Sequence, residues 1–222
     1  MEREKNLILD AGNLTAKHEQ ELEAMGCKLH KPEEMTPLLQ KQMEEGFDPA
    51  QTLIVLPGNG AQIVQSYCDP SWLNLWPHRA LVKAKRYWEP GQKPEVIVER
   101  IVPQDIARGI NDIVVMDDVI SSGTTCHRLY EKNQTWVAQA RWSAIVWIKQ
   151  RTSDALRGYH TIYAVREVGT QKTKAPINSL STLLSDANIA QGFANGKNNF
   201  ANPKLLLMLL EEIRKNRENT PH

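Results

Sequence analysis

The chain has 222 residues, 41% of them apolar and 24% charged, with a formal net charge of +1. That is enough apolar sequence for a core in one generous domain or one domain with an appended flap, and the near-neutral balance gives no global electrostatic case for nucleic acid or an anionic membrane. No apolar stretch approaches the roughly 18 residues that span a bilayer, and the charged start MEREKN lacks a following apolar run, so no signal peptide is expected. Three cysteines, Cys27, Cys68 and Cys126, are an odd number without metal-ligand spacing, which suits a reduced, cytoplasmic protein with no disulfide framework.

In chain order, Leu7 to Leu9 reads as a short strand, and Thr15 to Met25 and Pro32 to Glu45 as amphipathic helices. TLIVLPGNG follows, an apolar run closed by Pro57, Gly58, Asn59 and Gly60. A run that short, ended by turn residues, predicts a buried parallel strand, with a helix from Ala61 to Tyr67 after it. RALVKAKRYW predicts a second strand over Arg79 to Trp88. EPGQKP, at 89–94, is a surface loop in composition, and EVIVERIV, at 95–102, alternates as a half-exposed strand does. Ile113 to Met116 predicts a third buried strand and Thr124 to Asn133 its helix. Arg141 to Ile148 and His160 to Val165 predict two more strands. Asn202 then caps a last helix that begins at Pro203.

Strands alternating with helices predict an α/β fold: a parallel-rich central sheet with helices on both faces, plus a hood from the termini. The expected division is 1–50 as an N-terminal segment, 51–168 as the core and 169–222 as a C-terminal hood and helix. Ligands of such sheets bind beyond the carboxyl ends of the strands. Two of those ends are unusual, the glycine turn at 57–60 and the segment DDVISSGTT at 117–125.

In the second, small residues leading into a helix aim several backbone N–H groups at one point with the helix dipole behind them, which suits a phosphate. Ser121, Ser122, Thr124 and Thr125 add hydroxyl donors, and Gly123 permits close backbone approach. Asp117 and Asp118 would repel a phosphate but accept hydrogen bonds from vicinal hydroxyls or from a metal's waters. Hydroxyl acceptors beside a phosphate cradle describe a ribose 5-phosphate site. The plainer reading, a solvated acid pair and a hydroxyl-rich cap, has to treat every feature in this register as coincidence.

IVVMDDVISSGTT, from Ile113 to Thr125, closely resembles the phosphoribosyl-pyrophosphate (PRPP) signature of the type I phosphoribosyltransferases, and the resemblance covers roughly residues 50 to 168. It implies Mg²⁺-dependent transfer of a 5-phosphoribosyl group from PRPP to a nitrogenous, nucleobase-like acceptor with release of pyrophosphate. Asp117 and Asp118 would hold the ribose hydroxyls, and Ser121, Ser122, Gly123, Thr124 and Thr125 the 5-phosphate. Pro57, Gly58, Asn59 and Gly60 match the family's pyrophosphate loop. Lys83, Lys85 and Arg86 match its basic strand and join the two acids as candidate catalytic residues. Residues 89–94 and their flanks match a closing loop, and 163–168 the wall of the acceptor pocket. Mg²⁺ would come with PRPP and could touch Asp117 and Asp118.

The family's hypoxanthine-guanine members carry an aspartate where this chain has Ser121, which weakens the case for that acceptor. The expected partners are PRPP and a small-molecule acceptor, without nucleic acid or membrane, and the family's habits admit a homodimer. The alternative on the same fold is a non-catalytic regulator that binds PRPP or a nucleotide. Gly58-Asn59-Gly60 also begins like a dinucleotide fingerprint, but Ile63 stands at its third position, and a lone fragment is weak. Cys126, in the first turn of a predicted helix, could have its pKa lowered by the dipole; plain packing is the competing expectation. The tail from 170 to 202, rich in Asn, Ser and Gly, reads equally as a hood or as a connector.

Overall fold

A computed structural model describes residues 6–9, 14–87, 95–101, 109–135, 139–151, 156–169, 177–195 and 200–218, with backbone alone for 6–9, 86, 87, 181, 182, 185, 217 and 218. The chain divides into two compact units, Glu33–Lys174 and Met1–Pro32 with Ala175–His222. The larger unit therefore takes in residues 33–50, which the sequence grouped with the N-terminal segment.

The terminal unit holds β1 (Asn6–Leu9), α1 (Ala16–Ala24), β2 (Cys27–His30), β10 (Ile177–Ser179), α6 (Leu180–Ser185), α7 (Ala187–Asn195) and α8 (Pro203–Glu218). Its three strands form a parallel sheet in the order β10-β1-β2. The tail is thus more than a connector, since its described residues make a strand and two helices. Thr15 caps α1, accepting from the His18 amide at 3.2 Å, and Asn202 caps α8 through the Leu205 amide at 3.1 Å, as its sequence position suggested. Leu22, Leu180, Phe193, Leu206 and Ile213 anchor this unit's own core.

The larger unit contains α2 (Pro32–Gly46), β3 (Thr52–Pro57), α3 (Gly58–Tyr67), α4 (Pro70–Asn74), β4 (Arg79–Val82), β5 (Ala84–Tyr87), β6 (Glu95–Val98), β7 (Asp112–Ile120), α5 (Thr124–Asn133), β8 (Arg141–Gln150) and β9 (Tyr159–Val168). Its central sheet has the order β4-β3-β7-β8-β9, and every pair is parallel. Both faces are covered. Leu53, Val55, Ile113, Val115, Ala144 and Val146 share one core with Cys126 and Leu129 of α5. The alternate residues Ile54, Leu56, Val114, Met116, Ile145 and Trp147 are equally buried, and Tyr67 of α3 packs edge-on against Trp147 with ring centres 5.8 Å apart. From β3 the chain steps outward to β4 through α3, and from β7 the opposite way to β8 through α5. Right-handed crossovers in opposite directions put those two helices on opposite faces. The fold is α/β with a parallel central sheet, as the alternation of elements predicted.

One predicted strand divides. RALVKAKRYW supplies β4 to the central sheet, then β5 to a separate antiparallel hairpin with β6. The last pair of β4 with β3 is Val82 with Pro57, where β3 gives way to α3, so beyond it the chain has no parallel neighbour. It turns away at Lys83 and pairs with β6 instead. Val96, Val98 and Ile101 carry the hairpin onto the α5 side of the core. Among the described residues no helix is long and apolar enough to cross a membrane.

Candidate functional site

The sheet's topological switch point lies between β3 and β7, whose connections leave in opposite directions, and crevices for ligands open at the carboxyl ends of such strands. Both unusual segments are there. Val55 pairs with Val115, so two residues on, Pro57 and Asp117 come level.

The glycine turn belongs to a helix. α3 begins at Gly58, earlier than the predicted Ala61, with Pro57 as its N-cap and no side-chain hydrogen bond to the first turn. Proline offers no side-chain acceptor, so the first-turn amides are left for something else. Gly58 has φ +65° and lies against the Ala84 carbonyl, where an added Cβ would stand 3.1 Å from that oxygen. Gly60 is more tightly placed: a Cβ there would overlap the carboxylates of both Asp117 and Asp118. Glycine is required at 60 by close approach and at 58 by conformation as well.

The acids lie on a strand. β7 continues past the predicted Met116 to Ile120, because β8 is long enough to pair with Asp117, Val119 and Ile120. Asp117 Oδ1 accepts the Asp118 amide at 3.0 Å, and Asp118 Oδ1 accepts the Val119 amide at 2.7 Å. These bonds to backbone N–H groups fix the direction of each carboxylate.

Next comes the hydroxyl turn. α5 runs over Thr124–Asn133, as predicted, from an N-cap Gly123 at φ +72° that has no side chain to cap with. Ser122 and Thr124 hydroxyls lie 2.8 Å apart. The His127 amide closes the first helical bond on the Gly123 carbonyl at 2.9 Å. Asp117, Ile120 and residues 121–126 line a hollow of about 40 Å³. By that measure one water needs roughly 10–15 Å³, so the hollow takes a small group.

Cys126 is wholly buried, and burial, with the nearby Asp117 charge second, pushes its thiol up to about 12. Burial raises the thiol rather than lowering it as a helix dipole alone would, which suits a packing role. All three cysteines are free and buried.

The basic residues are arranged differently. Lys83, in the bend between β4 and β5, makes an exposed 3.7 Å pair with Glu99, an interaction of little energetic weight. Lys85 lies exposed on β5, and of Arg86 only the backbone is described. The expected closing loop at 89–94 falls outside the described residues. Ala84 of β5 lies on Gly58, and beyond β6 the Ile101 amide donates to the buried Asn133 side chain at the far end of α5 at 2.9 Å.

Residues 163–168 run along β9. Tyr163 packs edge-on against Phe47, Arg166 pairs with Glu34 at 3.5 Å, and Glu167 reaches Lys149 at 2.8 Å. Lys149 escaped the sequence reading. It is a buried cation at the carboxyl end of β8, paired in register with Ile120 at the start of the hydroxyl turn. A lysine closing an otherwise apolar run, RWSAIVWIK, was the available signal.

No family model matches the chain, and no curated protein matches it. Among solved structures it is similar to a hypothetical protein from Neisseria gonorrhoeae with bound ppGpp, at 12% identity and a TM-score of 0.47, covering 93% of this chain and 98% of that one. It is also similar to the xanthine-guanine-hypoxanthine phosphoribosyltransferase of Helicobacter pylori, at 15% identity and a TM-score of 0.47, covering 69% and 93%. A purine phosphoribosyltransferase from Pyrococcus horikoshii Ot3 matches at 14% identity and a TM-score of 0.42, covering 78% and 92%. At such identities and TM-scores these are likenesses in outline, and the fold stands on this chain's own sheet order and register.

Proposed function

We propose that this protein is a Mg²⁺-dependent phosphoribosyltransferase that moves a 5-phosphoribosyl group from PRPP to a nucleobase-like nitrogenous acceptor and releases pyrophosphate. One observation carries the reading: Gly60 is packed so closely on Asp117 and Asp118 that even a methyl group is excluded. Two acceptors for ribose hydroxyls therefore meet a first helical turn with no side-chain cap, one strand away from the hydroxyl turn.

In this reading the C1–O bond to pyrophosphate breaks through an oxocarbenium-like state while the C1–N bond forms. Asp117 and Asp118, aimed by the backbone bonds they accept, hold the two ribose hydroxyls. The amides and hydroxyls of residues 121–125 hold the 5-phosphate, which fixes the ring against rotation. The amides of Gly58, Asn59 and Gly60 receive the pyrophosphate, with Lys83, Lys85 and Arg86 adding positive charge as it leaves.

Two carboxylates beside a phosphate-bearing substrate suit Mg²⁺, which keeps several waters and takes one or two protein carboxylates with substrate oxygens. Among the described residues no group of three or more His, Cys, Asp or Glu gathers around one point, so substrate oxygens would complete the coordination. When bound, the ion would offset the charge developing on the leaving group.

Titration calorimetry with PRPP, with and without Mg²⁺, tests this on wild type and on Asp117→Asn/Asp118→Asn. Micromolar, Mg²⁺-dependent binding is expected, and it should weaken at least about a hundredfold in the double variant, since hydrogen bonds to charged groups are worth about 1.5–3 kcal/mol each. Absence of PRPP binding by the wild type sinks the reading. Binding without pyrophosphate release on any of a panel of nucleobases would leave the regulator in place of the enzyme.

A further inference from the structure

We propose that the turn 156–159, which leads into β9, is a positioning element for the phosphate-binding turn, with Leu156 and Tyr159 acting on it directly. The proposal rests on the reading of residues 121–125 as a phosphate site. Leu156 accepts the Tyr159 amide at 3.0 Å, and Gly158 between them has φ +86°, the arrangement of a type II turn. This turn meets α5 at three points, two of them in its first turn.

Leu156 lies directly on Gly123, so closely that an added Cβ at Gly123 would overlap its Cδ2. Gly158 lies against the Tyr130 ring, which a Cβ there would also overlap. The Tyr159 hydroxyl donates to the Cys126 carbonyl at 2.9 Å, across 33 residues of sequence. The phenol is held in turn by Trp142 and Tyr130, with ring centres at 5.9 and 6.3 Å, and Tyr130 packs on Trp142 at 5.6 Å.

Gly123 is the hinge of the turn. Its left-handed conformation sets where the amides of Thr124 and Thr125 point, and a glycine leaves that conformation at little cost. Leu156 fills the space beside the Gly123 Cα, against the outer side of the turn. Tyr159 fixes the other end of the same helical turn. Burial raises the phenol well above its usual range, so it remains a hydrogen-bond donor at working pH. Neither side chain needs to touch a ligand. Together they hold the direction of the groups that do.

The test uses ¹⁵N-labelled full-length protein, with ribose 5-phosphate and pyrophosphate as separate probes. Leu156→Ala should weaken ribose 5-phosphate about tenfold and Tyr159→Phe about threefold, while pyrophosphate affinity stays within about twofold. Leu156→Met, which refills the space, should recover most of the loss. Equal weakening of both probes, or none, overturns the proposal. A second readout needs no ligand: exchange of the His127 amide, which bonds the Gly123 carbonyl, should quicken about tenfold in Leu156→Ala while that of Ala144 in β8 does not change. If wild type ignores ribose 5-phosphate but His127 exchange still responds, the phosphoribosyl reading fails and the clamp stands. Unchanged exchange removes the clamp.

Discussion

The two helices that start at the switch point, α3 and α5, begin alike and are supported differently. Each follows a buried parallel strand, carries a glycine at positive φ, and lacks a side-chain cap on its first turn. Behind α3 stand backbone and charge, with the Ala84 carbonyl on Gly58 and both carboxylates on Gly60. Behind α5 stand a leucine and an aromatic cluster. In the first cradle the neighbours are a backbone carbonyl and two carboxylates tied to backbone amides. The second is held by side chains that could move. One motif of helix and glycine thus yields two sites of unequal tolerance.

Gly60→Ala should separate them most sharply. Its methyl meets two acids fixed by their own backbone bonds, so PRPP affinity should fall by about a hundredfold or more and stability by about 1–3 kcal/mol, the usual range for overpacking. A urea melt and calorimetry would read both, and wild-type values would refute the close approach. Gly123→Ala should cost about 1–2 kcal/mol through its left-handed backbone, with a further loss from displacing Leu156. In a Leu156→Ala background, Gly123→Ala should lose that further part, because the obstruction is the end of a flexible side chain. If Gly123→Ala costs as much in that background as in wild type, the contrast is wrong.

Smaller effects sharpen the same contrast. Ser122→Ala and Thr124→Ala should each weaken ribose 5-phosphate about threefold to tenfold, the value of one hydrogen bond near 1 kcal/mol, without changing pyrophosphate affinity. The buried thiol of α5 gives the least effect at neutral pH. Burial raises Cys126 from 9.0 to about 12, so the folded state keeps a proton that the unfolded chain releases above pH 9. Its contribution is complete below that point and is lost between pH 9 and about 12. Urea midpoints at about pH 7.5 and 10.5 should diverge less in Cys126→Ala than in wild type, which keeps all three such thiols.

Much of the frame could be read from the chain. β3 and β7 are apolar runs ended by turn residues, and a strand buried on both faces has little choice but to look like that. α8 carried a start signal that local hydrogen bonding honours, Asn202 accepting the Leu205 amide. Other elements were illegible for physical reasons. β2 and β10 are 4 and 3 residues long, and only pairing with β1, distant in sequence from β10, makes them strands. The division of RALVKAKRYW depends on where β3 stops, which no local pattern in those ten residues records. The extension of β7 through two adjacent carboxylates runs against strand propensity and is sustained by β8.

By itself, then, the sequence determined the α/β alternation, the two segments at the carboxyl ends of their strands, and the chemistry those segments can offer, because periodicity, turn residues and functional groups are local properties. Tertiary structure alone decided that Gly60 meets Asp117 and Asp118, that Lys149 is buried at the carboxyl end of β8, and that Leu156 and Tyr159 brace the start of α5. Those facts depend on strand register and crossover direction, which arise only when segments far apart in the chain compete to fill the same space.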